Sequence, residues 1–190
     1  IHIITSTYKR LDKLKKAVAT VQKQTHTNFI HHICSDGYDK EVADFVTGLN
    51  DSRFVYSCIE HEGSLGGRIK KNQIDQLPNS SKEYVCFLDD DNELNSNYLE
   101  KLLTNIQGEE EKYGVSCCQI YMDKFDYDRF PEYPDIGEDF VKFECIDTLN
   151  YMVRLDLAKP HSHLWLHEYG TRITHDFDFI SAISKTTKLK

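Results

Sequence analysis

Short apolar runs alternate with helix-like segments through the first half of this chain, and this alternation constrains its fold more than any other feature. Four apolar, β-branched runs predict strands, at residues 2–6, 29–34, 54–59 and 84–88. Four segments with helical spacing or helix-start residues follow them, at residues 11–24, 40–49, 68–77 and 96–106. Successive strand–helix units favour a mostly parallel sheet flanked by helices on both faces. We therefore predict an α/β fold.

The second half of the chain is less regular. Residues 113–122 and 146–155 predict two more strands, and residues 176–187 predict a last helix. Residues 123–140 are rich in Asp, Tyr, Phe and Pro and predict a long loop, a kind of segment that is usually functional or disordered. Because no segment has linker composition and 190 residues suit one domain, we expect a single domain over residues 1–190.

Charge and hydropathy restrict the partners that this chain can have. Its formal net charge of -8 would repel nucleic acid and anionic membranes, so we expect neither as a bulk partner. No apolar run approaches the ~20 residues of a membrane span. The chain begins at Ile1, inside a strand-like run and without a signal peptide. We expect it to be a trimmed form or a piece of a longer protein.

The six cysteines do not form a motif. None lies in a CxxC pair, and most fall in strand-like apolar runs. We expect buried free thiols in a reducing compartment, with a disulfide framework as the alternative. Together with the missing span and signal peptide, this favours a cytoplasmic location.

Polar residues and glycines follow each predicted strand. They are Thr7 and Tyr8 after the first strand, Asp36 and Gly37 after the second, Gly63, Gly66, Gly67 and Arg68 after the third, and Asp89, Asp90 and Asp91 after the fourth. In open α/β sheets, ligands bind at the carboxyl ends of the strands. We therefore expect these residues to converge on one edge of the sheet.

The three adjacent aspartates are the strongest indication of a site. On an extended backbone, Asp89 and Asp91 point to one side and Asp90 to the other. Adjacent carboxylates repel one another, and a hard divalent cation such as Mg²⁺ or Mn²⁺ would relieve this repulsion. The alternative is a solvated acidic turn, because Asp and Asn are common turn residues.

The glycines at 63, 66 and 67 suit a chain that bends sharply and approaches a ligand closely. Arg68 could direct its guanidinium to phosphate oxygens. The alternatives are an ordinary turn and a surface arginine.

The order of these motifs resembles that of family-2 glycosyltransferases. The segments that carry the resemblance are Thr7-Tyr8-Lys9-Arg10, Gln24-Thr25, Ser35-Asp36-Gly37, Gly66-Gly67-Arg68 with Asn72, and Phe87-Leu88-Asp89-Asp90-Asp91-Asn92. They match the TYNR-like, QT, DDGS-like, ARN-like and LDDD-type DxD segments of that family. The resemblance covers roughly the first 105 residues.

The resemblance implies a GT-A fold with a Rossmann-like, mostly parallel sheet, in which residues 1–105 bind a nucleotide sugar and residues 106–190 bind the acceptor. The implied nucleotide-sugar contacts are Thr7, Tyr8, Arg10, Asp36, Gly66, Gly67, Arg68, Asn72, Asp89 and Asp90. Among these, Asp36 would accept a hydrogen bond from a uracil ring. Asp91 would ligate a Mn²⁺ or Mg²⁺ ion. Asp89 would reach the ribose or the sugar and is the second implied metal ligand.

Some positions depart from the family pattern. Lys9 replaces the usual Asn, and Tyr38 replaces the usual Ser after Asp36-Gly37. The helix start reads GRIKKN rather than ARN, so either Arg68 or Lys71 could be the basic residue near the diphosphate.

The family also has a late acidic residue that acts as the base, and here the matching segment is Thr174–Phe179. Asp176 is the candidate, with Asp178 as the second choice, since an inverting transfer needs a proton acceptor for the attacking hydroxyl. The alternative role of Asp176 is a helix N-cap. His175 or His163 could complete the metal shell, although a solvated or core histidine is the commoner case. Trp165 could pack on the acceptor or fill the core.

These residues, together with the family resemblance, favour a metal-dependent transferase that moves a hexose-type sugar from a nucleotide sugar to a hydroxyl acceptor. The resemblance implies that the transfer is inverting and that the donor is a UDP-sugar. The acceptor would be a carbohydrate, a glycolipid or a protein. One alternative is a nucleotidyltransferase that makes nucleotide sugars, but such enzymes have a Gly-rich basic loop where this chain has Thr7–Arg10. The other alternative is a non-catalytic binding module of the same fold.

Overall fold

The structure is a computed structural model that describes residues 1–120, 141, 146–166, 168–169 and 172–190. Its strands are β1 (His2–Thr7), β2 (Ile30–Asp36), β3 (Phe54–Ile59), β4 (Tyr84–Phe87), β5 (Tyr113–Cys117), β6 (Tyr151–Arg154), β7 (Glu168–Tyr169), β8 (Arg172–Ile173) and β9 (Lys188–Leu189). Its α-helices are α1 (Leu11–Gln22), α2 (Lys40–Gly48), α3 (Gly67–Gln76), α4 (Tyr98–Ile106), α5 (Leu155–Ala158) and α6 (His175–Ser184). Two 3₁₀ segments span Thr148–Asn150 and Lys159–Leu166.

Seven strands form one mixed sheet in the order β3-β2-β1-β4-β6-β5-β9. The strands β3, β2, β1 and β4 run parallel, whereas β6 is antiparallel to both of its neighbours. The predicted α/β fold with a mostly parallel sheet is therefore confirmed. Because β1 to β4 are parallel, their carboxyl ends meet at one edge of the sheet.

The core lies on both faces of this sheet. In β1, Ile3 packs into one apolar cluster and Ile4 into the other, because successive side chains of a strand point to opposite faces. Helices α1, α2 and α4 cover the first face, and α3, α5 and α6 cover the second. Trp165, at 1% exposure, belongs to the second cluster and lies against Phe87 and Phe179. Of its two proposed roles, the structure shows the core role.

Several element boundaries in the second half differ from the prediction. Strand β5 ends at Cys117 instead of residue 122, and the strand predicted over residues 146–155 is confined to Tyr151–Arg154. The cause is local: the Asp147 carboxylate accepts from the Leu149 N–H, and the Asn150 side chain accepts from the Asp147 N–H. These side-chain bonds stabilise a 3₁₀ turn in place of extended backbone.

The long loop predicted over residues 123–140 lies outside the described residues. Within the described ranges, no helix is long and apolar enough to cross a bilayer.

Candidate functional site

A cleft of about 510 Å³ opens at the carboxyl edge of the parallel strands. Nine of the residues predicted from the sequence line it: Thr7, Tyr8, Arg10, Asp36, Gly63, Gly66, Asp89, Asp90 and Asp91. The sheet topology explains this convergence, because each of these residues lies in or just after the end of β1, β2 or β4, or in the turn before α3.

The three aspartates do not alternate as an extended backbone would place them. Strand β4 ends at Phe87, and the chain then turns, with the Asn92 N–H donating to the Asp89 carbonyl at 3.1 Å. Asp90 is buried and accepts from the Thr7 hydroxyl at 2.7 Å. The predicted directions were wrong, because Asp90 and Asp91 both face Arg10, each at 3.1 Å, whereas Asp89 faces Lys70.

Burial raises the pKa of Asp90, although the Thr7 hydroxyl and the Arg10 guanidinium act in the opposite direction. Arg10 bridges two of the aspartates, with its Nη2 3.1 Å from Asp90 and its Nη1 3.1 Å from Asp91. The Lys13 ammonium adds a second contact to Asp91, at 3.2 Å. Positive side chains therefore surround the acidic turn on the α1 side.

Asp89 pairs with a cation that the sequence prediction missed. Lys70 Nζ lies 3.0 Å from Asp89 Oδ1, and the lysine side chain is only 6% exposed. Neither predicted basic residue takes this place, because Arg68 pairs with Glu62 and Lys71 pairs with Asp75 at 2.6 Å. The helical period puts residue 70 on the buried face of α3 with Gly67 and Ile74, so its ammonium reaches Asp89 from the core side.

Asp36 lies at the opposite end of the cleft. Its carboxylate accepts from the backbone N–H groups of Glu62 at 2.8 Å and Gly63 at 2.9 Å, and His61 Nδ1 lies 3.1 Å away. Burial alone would raise the pKa of Asp36, but these three contacts outweigh it and lower the pKa. The imidazole of His61 also stacks on Tyr8, with ring centroids 4.5 Å apart.

The two glycines before and at the start of α3 serve the packing of the chain. Gly66 has φ +84°, and a Cβ there would lie 2.3 Å from Ser6 Oγ. A Cβ at Gly67 would lie 2.2 Å from the Trp165 carbonyl oxygen and 3.0 Å from the His175 ring. We expected the backbone at these glycines to approach a ligand closely, and in the structure it closely approaches other parts of the protein. Asn72, one helical turn further on, is half-buried and does not line the cleft.

Asp176 is the second residue of α6 and does not line the cleft. Thr174 is the N-cap residue of this helix, so the N-cap alternative for Asp176 was wrong. One carboxylate oxygen of Asp176 accepts from the Phe177 N–H at 2.8 Å. Burial is the largest cause that raises its pKa, and the nearby Asp147 also raises it, whereas the Phe177 N–H and Lys70 lower it. The net result is a pKa of about 6. A pKa in that range suits a group that accepts a proton near neutral pH.

Three residues important to this arrangement, Lys70, His61 and Asp147, were absent from the prediction. A lysine on the apolar face of a helix was the available signal for Lys70. The loop that holds His61 and the turn that holds Asp147 have no periodic pattern, so the sequence offered no comparable signal there.

The carboxylates of Asp89 and Asp91 fit a hard divalent cation in part. Both side chains line the cleft, with exposures of 35% and 39%. No group of three His, Cys, Asp or Glu side chains in the described part of the chain could hold a metal ion. Mg²⁺ and Mn²⁺ sites often use one or two protein carboxylates and take the remaining oxygens from substrate phosphates. Two carboxylates beside a phosphate-bearing ligand would match such a site. His175 packs on Gly67, and His163 is exposed on the 3₁₀ segment Lys159–Leu166.

Comparison with known families gives a match over most of the chain. The model of the family described as "Glycosyl transferase family 2" matches residues 2–160. A comparison with curated proteins found no match.

Three solved structures illustrate the likeness of this fold to known proteins. Residues 1–349 of TarS from S. aureus share 16% identity, with a TM-score of 0.70 over 96% of this chain and 54% of that chain. The same TarS fragment in complex with UDP-GlcNAc shares 15% identity, with a TM-score of 0.66 over 84% of this chain and 46% of that one. The mannosyltransferase PcManGT from Pyrobaculum calidifontis, in complex with GDP-Man and Mn²⁺, shares 11% identity, with a TM-score of 0.63 over 97% of this chain and 52% of that one. This chain therefore spans about half the length of these proteins, and the likeness identifies its fold as GT-A.

Proposed function

This chain belongs to glycosyl transferase family 2, and from that membership we propose that it is a metal-dependent, inverting glycosyltransferase. It would move a hexose-type sugar from a nucleotide sugar to a hydroxyl group of a carbohydrate, glycolipid or protein. The observation that carries the proposal is the cleft that joins Tyr8 and Asp36 at one end to the three aspartates and their cations at the other.

The donor is proposed to be a UDP-sugar. Tyr8 offers an aromatic face and Asp36 an acceptor-only carboxylate, which together suit a planar base with an N–H group. The family resemblance assigns Asp36 to uracil. Solved relatives in complex with UDP, UDP-GlcNAc and GDP-Man support a nucleotide sugar as the class of donor.

The diphosphate is proposed to lie over Asp89 and Asp91. A Mn²⁺ or Mg²⁺ ion held there by the two carboxylates would act as a Lewis acid on the departing diphosphate. Arg10 and Lys13 are about half exposed, so their positive groups can turn from Asp91 toward phosphate oxygens. Lys70 keeps a fixed positive charge beside Asp89, near the expected position of the sugar.

Asp176 is proposed as the base. The acceptor oxygen attacks the anomeric carbon from the face opposite the diphosphate, and its proton passes to the Asp176 carboxylate. The bond from the anomeric carbon to the diphosphate oxygen breaks, and the diphosphate leaves with the electron pair. Inversion follows from this single displacement. A pKa of about 6 keeps Asp176 mostly ionised, and able to accept the proton, at pH 7 and above.

Residues 106–190 are proposed to bind the acceptor, because they carry Asp176 and follow the cleft-forming half of the chain. The five described cysteines are free thiols, which supports the proposal of a reducing, cytoplasmic compartment.

Donor binding and hydrolysis across UDP-, GDP- and TDP-sugars, with Mn²⁺ and with EDTA, would test this function. We expect one UDP-sugar to bind and to be hydrolysed slowly only with metal, and Asp91→Ala to abolish both. Asp44→Ala is the matched control, because Asp44 is an exposed carboxylate on α2 that pairs with Lys40. If no donor binds under any condition, the proposal fails. Metal-dependent UDP binding without hydrolysis or transfer would instead indicate a non-catalytic module.

A further inference from the structure

His61 joins the two groups that form the base end of the cleft. Its ring is nearly parallel to that of Tyr8, with an interplanar angle of 6° and centroids 4.5 Å apart. Its Nδ1 lies 3.1 Å from Asp36 Oδ2. Because an ionised carboxylate only accepts hydrogen bonds, this contact requires a proton on Nδ1.

These are the two contacts by which a nucleobase is recognised in such a site: stacking of a planar ring on an aromatic side chain, and an N–H donated to a carboxylate. The imidazole makes both of them at once, in the space between Tyr8 and Asp36. A base that stacks on the same face of Tyr8 and donates an N–H to Asp36 would therefore take the place of the imidazole.

His61 is able to leave this place. Its side chain is 52% exposed, so rotation about its side-chain bonds can carry the ring into solvent. The Asp36 carboxylate would stay in position, because the backbone N–H groups of Glu62 and Gly63 hold its two oxygens independently of His61. The subsite would then remain formed while its side-chain occupant changes.

We infer that His61 occupies the nucleobase subsite of the donor cleft and that the donor binds by displacing it. This inference rests on the proposed function, since it concerns the same nucleotide. Every nucleotide that uses the subsite then loses affinity in proportion to the fraction of molecules in which His61 fills it. A ligand with a diphosphate but no base does not compete with His61.

Calorimetric titration of UDP and of inorganic pyrophosphate, each with Mn²⁺, tests the inference. We expect His61→Ala to bind UDP about fivefold more tightly than the parent, the scale of one exposed charge-assisted hydrogen bond plus a ring contact. His61→Phe keeps the stacking ring without the N–H and should gain about twofold. Neither variant should change the affinity for pyrophosphate.

The control is His26→Ala, in the loop that leads into β2, where the ring hydrogen-bonds the Asn28 carbonyl. This variant should bind UDP like the parent. Unchanged or weaker UDP binding by His61→Ala would overturn the inference and leave the proposed function intact. Weaker binding would show that the imidazole contacts the bound base and contributes to its affinity. An equal gain for pyrophosphate would also overturn it, because the effect would then come from the charge of the cleft. If UDP binds neither the parent nor His61→Ala, the proposed function fails, and the inference fails with it.

Discussion

The ammonium of Lys70 lies 3.0 Å from Asp89 and over the ring of Trp165, whose centroid is 5.0 Å from Nζ. The same ammonium lowers the pKa values of Asp147 and Asp176, which burial raises. One buried cation thus acts on the donor-side carboxylate and on the proposed base together. A charge shared in this way makes the ionisation of these groups interdependent.

Replacing Lys70 with Met should reduce donor hydrolysis or sugar transfer by about 10- to 100-fold, because it leaves half-buried carboxylates without their common cation. The pKa of Asp176, already about 6, should rise further. Its basic form is then lost at a higher pH, so the acidic limb of the pH–rate profile should move upward. Measuring kcat/KM from pH 5 to 9 checks this.

Lys71→Met is the matched control for this prediction. Lys71 is the next residue along α3, and it pairs with Asp75 on the outer side of the helix. An exposed pair of this kind contributes little, about 0.5 kcal/mol. An acidic limb that does not move in Lys70→Met would contradict the role given to Lys70, even if the rate fell.

Asp176→Asn should abolish transfer and stabilise the fold at neutral pH. The folded pKa of about 6 lies above the ordinary value of 3.8, so the unfolded chain releases this proton first as the pH rises. The carboxyl therefore lowers the free energy of unfolding progressively between about pH 4 and pH 6, and this penalty persists at pH 7. We expect the Asn variant to gain about 1 kcal/mol at pH 7 and nothing at pH 4. Chemical denaturation at both pH values measures this, and a variant less stable than the parent at pH 7 would refute it.

The parallel half of the fold could be predicted from the sequence because its information is local and periodic. Apolar runs indicate β1 to β4, and the rule that ligands bind at the carboxyl ends of parallel strands is enough to bring Thr7, Asp36 and Asp89 to one cleft. The sequence correctly predicted that the three aspartates lie together. It predicted the directions of their side chains wrongly, because the turn after Phe87 has no periodic pattern.

Contacts between distant segments could not be predicted in this way. The pairing of Lys70 with Asp89 joins α3 to the end of β4, and two nearby basic residues, Arg68 and Lys71, competed for the same assignment. Lys70 pairs with Asp89 because it lies on the buried face of α3, and which face is buried depends on how α3 packs against the segment that holds Trp165. The 3₁₀ turn at Asp147 was missed because a few side-chain hydrogen bonds there override a weak strand pattern.

Two histidines of β2 should make the fold sensitive to acid. Burial lowers the pKa of His31 to about 3 and that of His32 to about 4. Because both are neutral in the folded chain and protonate near pH 6.5 when unfolded, the free energy of unfolding falls as the pH drops below about 6.5.

His31→Gln tests this directly. His31 contacts the Thr5 hydroxyl at 2.8 Å, and the glutamine amide can hydrogen-bond the same hydroxyl but does not titrate. The parent should lose about 2 kcal/mol more than the variant between pH 7.5 and pH 5. Urea denaturation at the two pH values gives the difference. Equal losses would show that His31 is not part of the acid response.

Gly66→Ala should destabilise the fold by about 2 kcal/mol or more, for two separate reasons. The residue has φ +84°, which L side chains rarely adopt, and a Cβ would lie 2.3 Å from Ser6 Oγ at the end of β1. The second substitution, Gly48→Ala, has neither problem, since a Cβ at this last residue of α2 meets nothing within 4 Å. It should be neutral or stabilising by up to about 0.5 kcal/mol, through the lower entropy of the unfolded chain. Paired thermal melts of the two variants measure the contrast. If Gly66→Ala melts with the parent, the turn before α3 does not have the left-handed conformation on which the packing against Ser6 depends.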